Sequence, residues 1–166
     1  MPHQVVQVDV KAVIPASGGC AVFLGNDEKV FIIYIDQMVG AAITMFMRGI
    51  PKERPLTHDL IVSLLIAYGA RLERVVINDF QDNIYYARLI VMAENELHGR
   101  KIMEIDARPS DSIALATRLQ APIFVSRKVW DAAADESHVL QAMQERHRTE
   151  EEDSGPDDPG GPTFSE

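Results

Sequence analysis

The sequence is poor in cysteine and has no long apolar run. Its 166 residues include a single cysteine, Cys20, so no internal disulfide can form. Such a chain suits a reducing compartment, and we expect a cytoplasmic location. No apolar run reaches the roughly 18 residues of a membrane-spanning helix, and the N-terminal residues show no basic region followed by an apolar core. We therefore expect neither a membrane span nor a signal peptide, and we interpret Cys20 as a small buried apolar side chain.

Several motifs with a known chemical role are also missing. The sequence has no glycine-rich phosphate loop, no pair of cysteines spaced for zinc and no HExxH motif. It therefore gives no sign of a P-loop nucleotide site or of a zinc site. Any catalytic or binding function has to be inferred from other residues.

The negative charge is concentrated at the C-terminal end. Residues Glu150 to Glu166 contain seven acids and no lysine or arginine, whereas the rest of the chain has 18 acids and 16 bases. The first 149 residues are thus nearly neutral, unlike a basic nucleic-acid platform, and any nucleic-acid contact must come from a local patch. The prolines, glycines and acids near the end cannot supply a core. We predict a folded domain over residues 1–149 and a disordered acidic tail over residues 150–166.

Alternating apolar residues and turn signals predict seven strands, and apolar helical periodicity predicts five helices. The predicted strands are Gln4 to Ile14, Cys20 to Leu24, Lys29 to Ile35, Glu73 to Phe80, Ile84 to Ala93, Lys101 to Asp106 and Ala121 to Val125. The predicted helices are Gln37 to Arg48, His58 to Tyr68, Asp111 to Leu119, Arg127 to Ala134 and Ser137 to His147. Their predicted N-caps include Asp36, Thr57 and Ser110, and Gly49 and Gly69 are predicted stops.

The order of these elements indicates the fold class. Runs of strands are interrupted by helix pairs, and a strict strand–helix–strand alternation is absent. The turns Gln81 to Asn83 and Glu94 to Gly99 predict that the three middle strands form an antiparallel meander. We predict a single compact α+β domain with a mixed, mostly antiparallel sheet and helices packed against it.

Two segments place Arg-Pro just before a hydroxyl residue and an acid. They are RPLTHDL, from Arg54 to Leu60, and DARPSDS, from Asp106 to Ser112. Proline suits a helix entry and an acid suits the positive end of the helix dipole, so well-capped helix starts would explain both segments. An arginine beside a helix start is also a natural anion site. Arg54 and Arg108 are therefore either phosphate-binding groups that converge on one cleft or structural partners of nearby carboxylates.

Carboxylates near these segments are candidates for metal-assisted phosphodiester cleavage. This chemistry needs two or more carboxylates around Mg²⁺ or Mn²⁺, and the available acids are Asp59, Glu104, Asp106 and Asp111. Glu104 and Asp106 are two apart on one predicted strand, so they share a face. His58 is a candidate general acid or base because imidazole titrates near neutrality. The candidate catalytic residues are His58, Asp59, Asp106 and Asp111; Asp106 and Asp111 are also the candidate metal ligands, and Arg54 and Arg108 the candidate substrate-binding residues.

The two motifs also carry a family resemblance. RPLTHDL and DARPSDSIALATR, followed by APIFVS at Ala121 to Ser126, resemble the bifunctional nuclease family. The resemblance covers about Val5 to Ala133 and rests on the order and separation of the motifs. It implies a compact α+β fold, frequent dimers and nuclease activity on both DNA and RNA. Plant members often add a C-terminal UVR-type segment, where this chain has only the acidic tail.

Two functions from different classes are compatible with this sequence. The first is a metal-assisted nuclease with DNA or RNA as its substrate, which the family resemblance favours. The second is a non-enzymatic homodimeric module that binds an anion or nucleotide and regulates another process, which the near-neutral charge favours. A homodimer is also expected because the Met-rich helix Gln37 to Arg48 has more apolar surface than one buried stripe needs. Its interface is expected to use that helix or a strand edge.

Overall fold

The computed structural model of the chain describes residues 4–96 and 99–153. This part of the chain contains seven strands and five helices. The strands are β1 (Val5–Ala16), β2 (Gly19–Gly25), β3 (Val30–Ile35), β4 (Ala70–Gln81), β5 (Ile84–Asn95), β6 (Gly99–Ala107) and β7 (Ile123–Ser126). The helices are α1 (Gln37–Arg48), α2 (Thr57–Ala67), α3 (Pro109–Leu119), α4 (Arg127–Ala132) and α5 (Ser137–Asp153).

The strands form one sheet in the order β3-β2-β1-β7-β4-β5-β6. Neighbouring strands are antiparallel except for β4 and β7, which pair in parallel. The predicted α+β class with a mixed, mostly antiparallel sheet is therefore confirmed. The predicted meander of the middle strands is also present, with β4 beginning at Ala70 rather than Glu73.

The sheet is strongly curved. Strand β4 contains two register shifts, of the kind that bend and twist a strand. The turn from β4 to β5 uses Asp82 and Asn83 with φ of 49° and 62°, which matches the tight turn that follows the right-handed twist of a hairpin. Phe31 of β3 and Tyr85 of β5 have ring centroids 6.1 Å apart, although four strands separate them in the sheet. The β3 edge therefore approaches the β4–β5 turn.

The main core fills the inner face of this curved sheet. Val22 and Leu24 point inward and pack with residues of α1 and α3, because alternate side chains of a strand face opposite sides. Ala21 and Phe23 point outward and form a second cluster with Leu140 of α5. Helices α1 and α3 thus lie on one side of the β1–β3 region, and α5 covers the other side.

Helix α5 corrects the predicted boundary of the tail. The helix was expected to end at His147 but continues to Asp153, so residues 150–153 are helical rather than disordered. Apolar anchoring cannot account for this extension, since Leu140 is the buried apolar side chain of α5 in the part of the chain that the structure describes. The remaining residues of the predicted tail, 154–166, lie outside the described residues.

The environment of Cys20 agrees with its sequence interpretation. Its side chain is buried in β2, facing α1. A Cβ atom added to Gly40 of α1 would lie 2.4 Å from the Cys20 sulfur, so the close approach of the helix depends on glycine at this position. Among the helices of the described ranges, none has both the length and the apolar character needed to cross a membrane.

Candidate active site

Helix α3 begins two residues earlier than the sequence suggested. Its N-cap is Arg108, with φ −66° and ψ 144°, and Pro109 is the first helical residue. Proline at this position needs no N–H partner and already has a helical φ, so it can begin the helix itself. The prediction that Ser110 caps the helix is therefore wrong: Ser110 lies inside the first turn and is buried. Asp111 follows it in the same turn.

Helix α2 also begins without a hydroxyl cap. Its N-cap is Leu56, and Thr57, the predicted cap, is the first helical residue and is exposed. Asp59 takes over the capping contact, because its Oδ2 accepts a hydrogen bond of 2.9 Å from the backbone N–H of Leu56. This is the carboxylate half of a capping box. His58 and Asp59 are consequently held in the first turn of α2.

A carboxylate of α3 joins an imidazole of α2 to an arginine. His58 Nε2 lies 3.0 Å from Asp111 Oδ1, and Arg108 Nε donates to Asp111 Oδ2 at 2.8 Å. Burial of Asp111 by itself raises its pKa, but the hydrogen bonds from Arg108 and His58 outweigh this and hold the pKa below its usual range. An ionised carboxylate can only accept hydrogen bonds, so His58 carries its proton on Nε2. The three side chains form a continuous hydrogen-bonded chain.

The two ends of this chain differ in their exposure. The His58 residue is 6% exposed, and its ring packs edge-to-face on Phe46 of α1 with centroids 6.3 Å apart. The Arg108 side chain is 66% exposed. The arrangement therefore links a buried, fixed imidazole to a guanidinium group that faces solvent.

The N-terminal ends of α1 and α3 meet at Arg108. Asp36 caps α1 by accepting a hydrogen bond from the Val39 N–H, and its Oδ2 lies 4.0 Å from a terminal nitrogen of Arg108. The predicted Asp36 cap is thus confirmed, and Asp36 also lies at the site. Helix N-termini attract anions through free N–H groups and the helix dipole, which makes this a suitable place for a phosphate.

A cavity of about 410 Å³ opens beside Arg108. It lies between the β3 edge, the β4–β5 turn and the start of α3. Its lining combines polar groups of Asp36, Asn83 and Arg108 with apolar side chains of β3 and β5. Ligand sites in proteins commonly have this volume range and this mixture of apolar walls with few polar groups.

Asp59 belongs to a different cluster. Its Oδ1 accepts a hydrogen bond of 2.7 Å from Arg118 Nε of α3, and Lys52 Nζ lies 3.0 Å from its Oδ2. Burial favours a higher pKa for Asp59, but the hydrogen bonds from Arg118, the Leu56 N–H and Lys52 together lower it to about 2. Both carboxylate oxygens are occupied in the folded protein. This arrangement favours a structural role for Asp59, which ties the start of α2 to the end of α3.

The expectation that Arg54 and Arg108 share one cleft is wrong in this structure. Arg54 lines a separate cavity of about 440 Å³, together with Lys52, Asp59 and Arg118. Arg108 lines the cavity at the β3 edge. The two Arg-Pro segments look alike in sequence, but Arg108 is an N-cap residue whereas Arg54 precedes the N-cap by two residues.

Asp106 does not join Asp111. Asp106 pairs with Arg88 across β5 and β6, whereas the neighbouring Ala107 pairs with Ala87 and packs against the core beneath the helices. Alternation along the strand therefore turns Asp106 to the face away from α3. Glu104 shares that exposed face, as predicted, and lies 3.9 Å from Arg88. The expected pairing of Asp106 with Asp111 as metal ligands is thus not found.

The donor set of the site gives a test for metal binding. Among residues 4–96 and 99–153, no group of three or more His, Cys, Asp or Glu side chains could hold a metal ion. Both oxygens of Asp111 already accept hydrogen bonds from His58 and Arg108. The residues present do not fit a metal site that the protein builds by itself.

Sequence reasoning missed several residues of these clusters. Asp36 was interpreted only as a cap, and Lys52, Arg118 and Tyr34 were not singled out. A usable signal existed for Arg118, which lies seven residues after Asp111 in the DARPSDSIALATR motif and therefore on the same helix face. No comparable signal marks Lys52, because the loop between it and Asp59 has no periodicity that places the two side chains together. Tyr34 lines the cavity beside Arg108 only because distant segments meet there.

Comparisons with known proteins assign part of this chain to a family. The sequence model of the bifunctional nuclease domain matches residues 22–138. Two curated proteins of Mycobacterium tuberculosis, one from strain CDC 1551 / Oshkosh and one from strain ATCC 25618 / H37Rv, are each 41% identical to the chain over 104 residues. The aligned region is 63% of this chain and 58% of each relative, so the chain spans less than two thirds of their length. Both relatives are described as uncharacterized proteins.

Proposed function

The chain belongs to the bifunctional nuclease domain family, and from that premise we propose that it hydrolyses phosphodiester bonds in DNA and RNA at the His58–Asp111–Arg108 chain. The observation that carries the proposal is the double contact of Asp111, at 3.0 Å to His58 and 2.8 Å to Arg108. This contact links His58, which can transfer a proton, with Arg108, which can bind a phosphate. Helix starts surround the same position, where they favour an anion.

Arg108 is the phosphate-binding group of this proposal. Its Nε donates to Asp111, which leaves the remaining guanidinium N–H groups at a largely exposed surface. A phosphodiester oxygen there gains charge-assisted hydrogen bonds and the favourable field at the start of α3. Asp36 lies at the far side of Arg108 and helps to hold the guanidinium in place.

His58 is the proton-transfer group. Because Nε2–H is directed to Asp111, the lone pair of the neutral ring is on Nδ1. Nδ1 takes a proton from the water that attacks phosphorus, and the bond from phosphorus to the leaving oxygen breaks as the new bond to the water oxygen forms. The leaving oxygen takes up a proton from solvent, and the imidazolium then releases its proton to solvent. Ionised Asp111 stabilises the imidazolium that forms and keeps the ring in one orientation.

Mg²⁺ or Mn²⁺ stays part of the proposal as the expected cofactor, although the predicted ligands Asp106 and Asp111 lie on opposite sides of the sheet. Mg²⁺ commonly binds through one or two carboxylates together with substrate phosphates, so nucleic acid itself can supply most of the ligands. The assay below therefore includes both ions.

A nuclease assay on highly purified protein tests the proposal. Wild type is compared with His58→Gln, Asp111→Asn and Arg108→Lys on labelled DNA and RNA, with Mg²⁺, with Mn²⁺ and with a chelator. His58→Gln is expected to lower the rate by about 10²–10⁴-fold, the usual contribution of general acid–base catalysis. Asp106→Asn is the matched control, since it removes an exposed carboxylate of the same motif from the opposite face. Equal loss in the control and the His58 variant, or equal activity in all variants, would contradict the assignment.

A second candidate function is a non-enzymatic homodimeric module that binds an anion or nucleotide. The observation that favours it is the engagement of both Asp111 oxygens, together with the lack of a three-ligand metal cluster in the described ranges. Such a module would bind phosphate compounds through Arg108 without turnover. Protein that binds a nucleotide in an Arg108-dependent way but shows no hydrolysis with either ion would favour this alternative.

Homodimer formation is kept as a proposal for either function. Met38 and Met47 of the Met-rich helix α1 are exposed, which supports the predicted use of that helix. Leu60, Leu64 and Tyr68 add a second exposed stripe at four-residue spacing along and just after α2. Sedimentation at micromolar concentration tests this, and a single 18.5 kDa species would argue against a dimer. A cytoplasmic location also remains a proposal, supported by the lone buried Cys20.

A further inference from the structure

Strand β3 presents an open edge beside the candidate active site. It is the first strand of the sheet, and β2 is its neighbour. At Val30 the outer edge is satisfied, because the N–H donates to Ser137 Oγ at 3.1 Å and the carbonyl accepts from the Glu136 N–H at 2.7 Å. The backbone groups of Ile32 and Tyr34 point to the same edge, since strand hydrogen bonding repeats every two residues. Ile32 and Tyr34 line the cavity of about 410 Å³.

An aromatic ring is exposed at this edge. Tyr34 is 72% exposed and lines the cavity together with Arg108 and Asn83. Other aromatic rings of this region are packed: Phe31 is buried, and Tyr85 stacks at 4.3 Å on Phe80. Tyr34 therefore offers a free aromatic face in the same cavity as an exposed guanidinium group.

The lining of the cavity suits a nucleotide better than a bare phosphate. Its volume exceeds what an anion needs, and Ile32, Ile84 and Tyr85 give it apolar walls. Asn83 supplies an amide, and the β3 edge supplies backbone donors and acceptors, which are the groups that pair with a base edge. Arg108 stands at the mouth, where the sugar-phosphate of the same nucleotide would lie.

We propose that this cavity accepts an unpaired nucleobase of a single-stranded nucleic acid, with Tyr34 stacking on the base and Arg108 binding its phosphate. The inference rests on the proposed function in one respect, namely that nucleic acid is the ligand of this site. Bases of a duplex are stacked and paired, so they cannot enter a cavity of this shape without being extruded. Single strands are therefore the preferred substrate class, and recognition is tolerant of sequence because every base has a stacking face.

The test is a binding measurement that needs no turnover. Fluorescence anisotropy is followed with a labelled oligothymidylate of about ten nucleotides, a length typical of single-strand sites, in chelator and at low salt. Tyr34→Ala is compared with Tyr34→Phe, which keeps the ring. Tyr68→Ala is the matched control, because Tyr68 is 82% exposed but lies just after α2, away from the cavity.

Wild type is expected to bind the single strand about tenfold more tightly than the duplex of the same length, and Tyr34→Ala to weaken binding about tenfold, the usual contribution of one base–aromatic stack. Tyr34→Phe and Tyr68→Ala should bind like wild type. Equal binding of Tyr34→Ala and wild type overturns the inference, as does equal affinity for duplex or no binding of oligonucleotide at all. A protein that binds in this Tyr34-dependent way but never cleaves would sink the proposed hydrolysis and leave the base site standing.

Discussion

Replacing Asp59 by asparagine tests how the start of α2 is held. The substitution removes the charge and keeps the shape, and an asparagine oxygen can still accept the hydrogen bond from the Leu56 N–H. The interactions with Arg118 at 2.7 Å and Lys52 at 3.0 Å lose their ionic part. Any change in stability therefore reports mainly on the charge of Asp59, and not on the cap.

The magnitude follows from the pKa. Folding lowers the pKa of Asp59 from 3.8 to about 2, and each unit corresponds to about 1.4 kcal/mol of stability. Because the Arg118 side chain is 42% exposed, water weakens this contribution, and we expect about 1–2 kcal/mol at pH 7. The folded-state pKa lies below the unfolded one, so the stabilisation is complete above the unfolded value. It is lost as pH falls through about 2, and about half remains at pH 3.

Urea unfolding at pH 7 and pH 3 measures this difference. The single tryptophan, Trp130 of α4, is buried in the core, so its fluorescence reports on unfolding. Asp59→Asn should be less stable than wild type by about 1–2 kcal/mol at pH 7 and by about half of that at pH 3. Asp106→Asn, at an exposed site, should match wild type at both values. A difference that stays the same at both pH values would refute the role of the charge, and no difference at pH 7 would mean that burial cancels the ion pairs.

Three further predictions concern other parts of the fold. Arg108→Ala is expected to change stability by less than about 1 kcal/mol, because its ion pair is solvent-exposed, yet to weaken the binding of a phosphate analogue by about 10–100-fold; a melt and a titration separate the two effects. Gly40→Ala is expected to destabilise the protein by about 1–3 kcal/mol in urea unfolding, since the new Cβ would lie 2.4 Å from the Cys20 sulfur. Truncation after Thr149 should leave the melting temperature unchanged, and a drop of several degrees would contradict the idea that the acidic end is dispensable.

Strand β1 could be predicted from the sequence because one of its faces is more buried than the other. Its apolar residues Val6, Val8 and Val10 alternate with polar residues, and this period of two is visible without any knowledge of the partners. The parallel pairing of β4 with β7 and the approach of β3 to the β4–β5 turn could not be predicted in this way. Both depend on contacts between distant segments and on the curvature that bulges introduce, and neither has a local signal.

The starts of α2 and α3 were predicted to within two residues but with the wrong caps. Thr57 and Ser110 have the hydroxyl groups that capping favours, and each lies inside its helix instead. Pro109 begins α3 by itself, and Asp59 caps α2 through its carboxylate. A hydroxyl is only one of several ways to satisfy the first N–H groups, so residue type alone does not fix the N-cap.

The same limit applies to the carboxylates of the site. The spacing of Glu104 and Asp106 correctly indicated that they share a face, but spacing cannot tell which side of the sheet that face is on. The register with β5 decides it, through the pairing of Ala107 with Ala87 under the helices. Register depends on the whole sheet, which explains why Asp106 was wrongly grouped with Asp111.

The two Arg-Pro segments differ in how the cations that contact their acids, Asp59 and Asp111, are used. At the start of α2, Asp59 is buried, and Lys52 and Arg118 both form ion pairs with it. At the start of α3, Asp111 keeps Arg108 in place through Nε alone, and most of that guanidinium stays in solvent. A ligand phosphate would have to compete with Asp59 for Lys52 and Arg118 in the first case, whereas in the second it can bind Arg108 without breaking the hydrogen bond to Asp111. The two similar segments therefore differ in what they leave for a ligand, because Asp59 pairs with two cations and Asp111 leaves most of one guanidinium exposed.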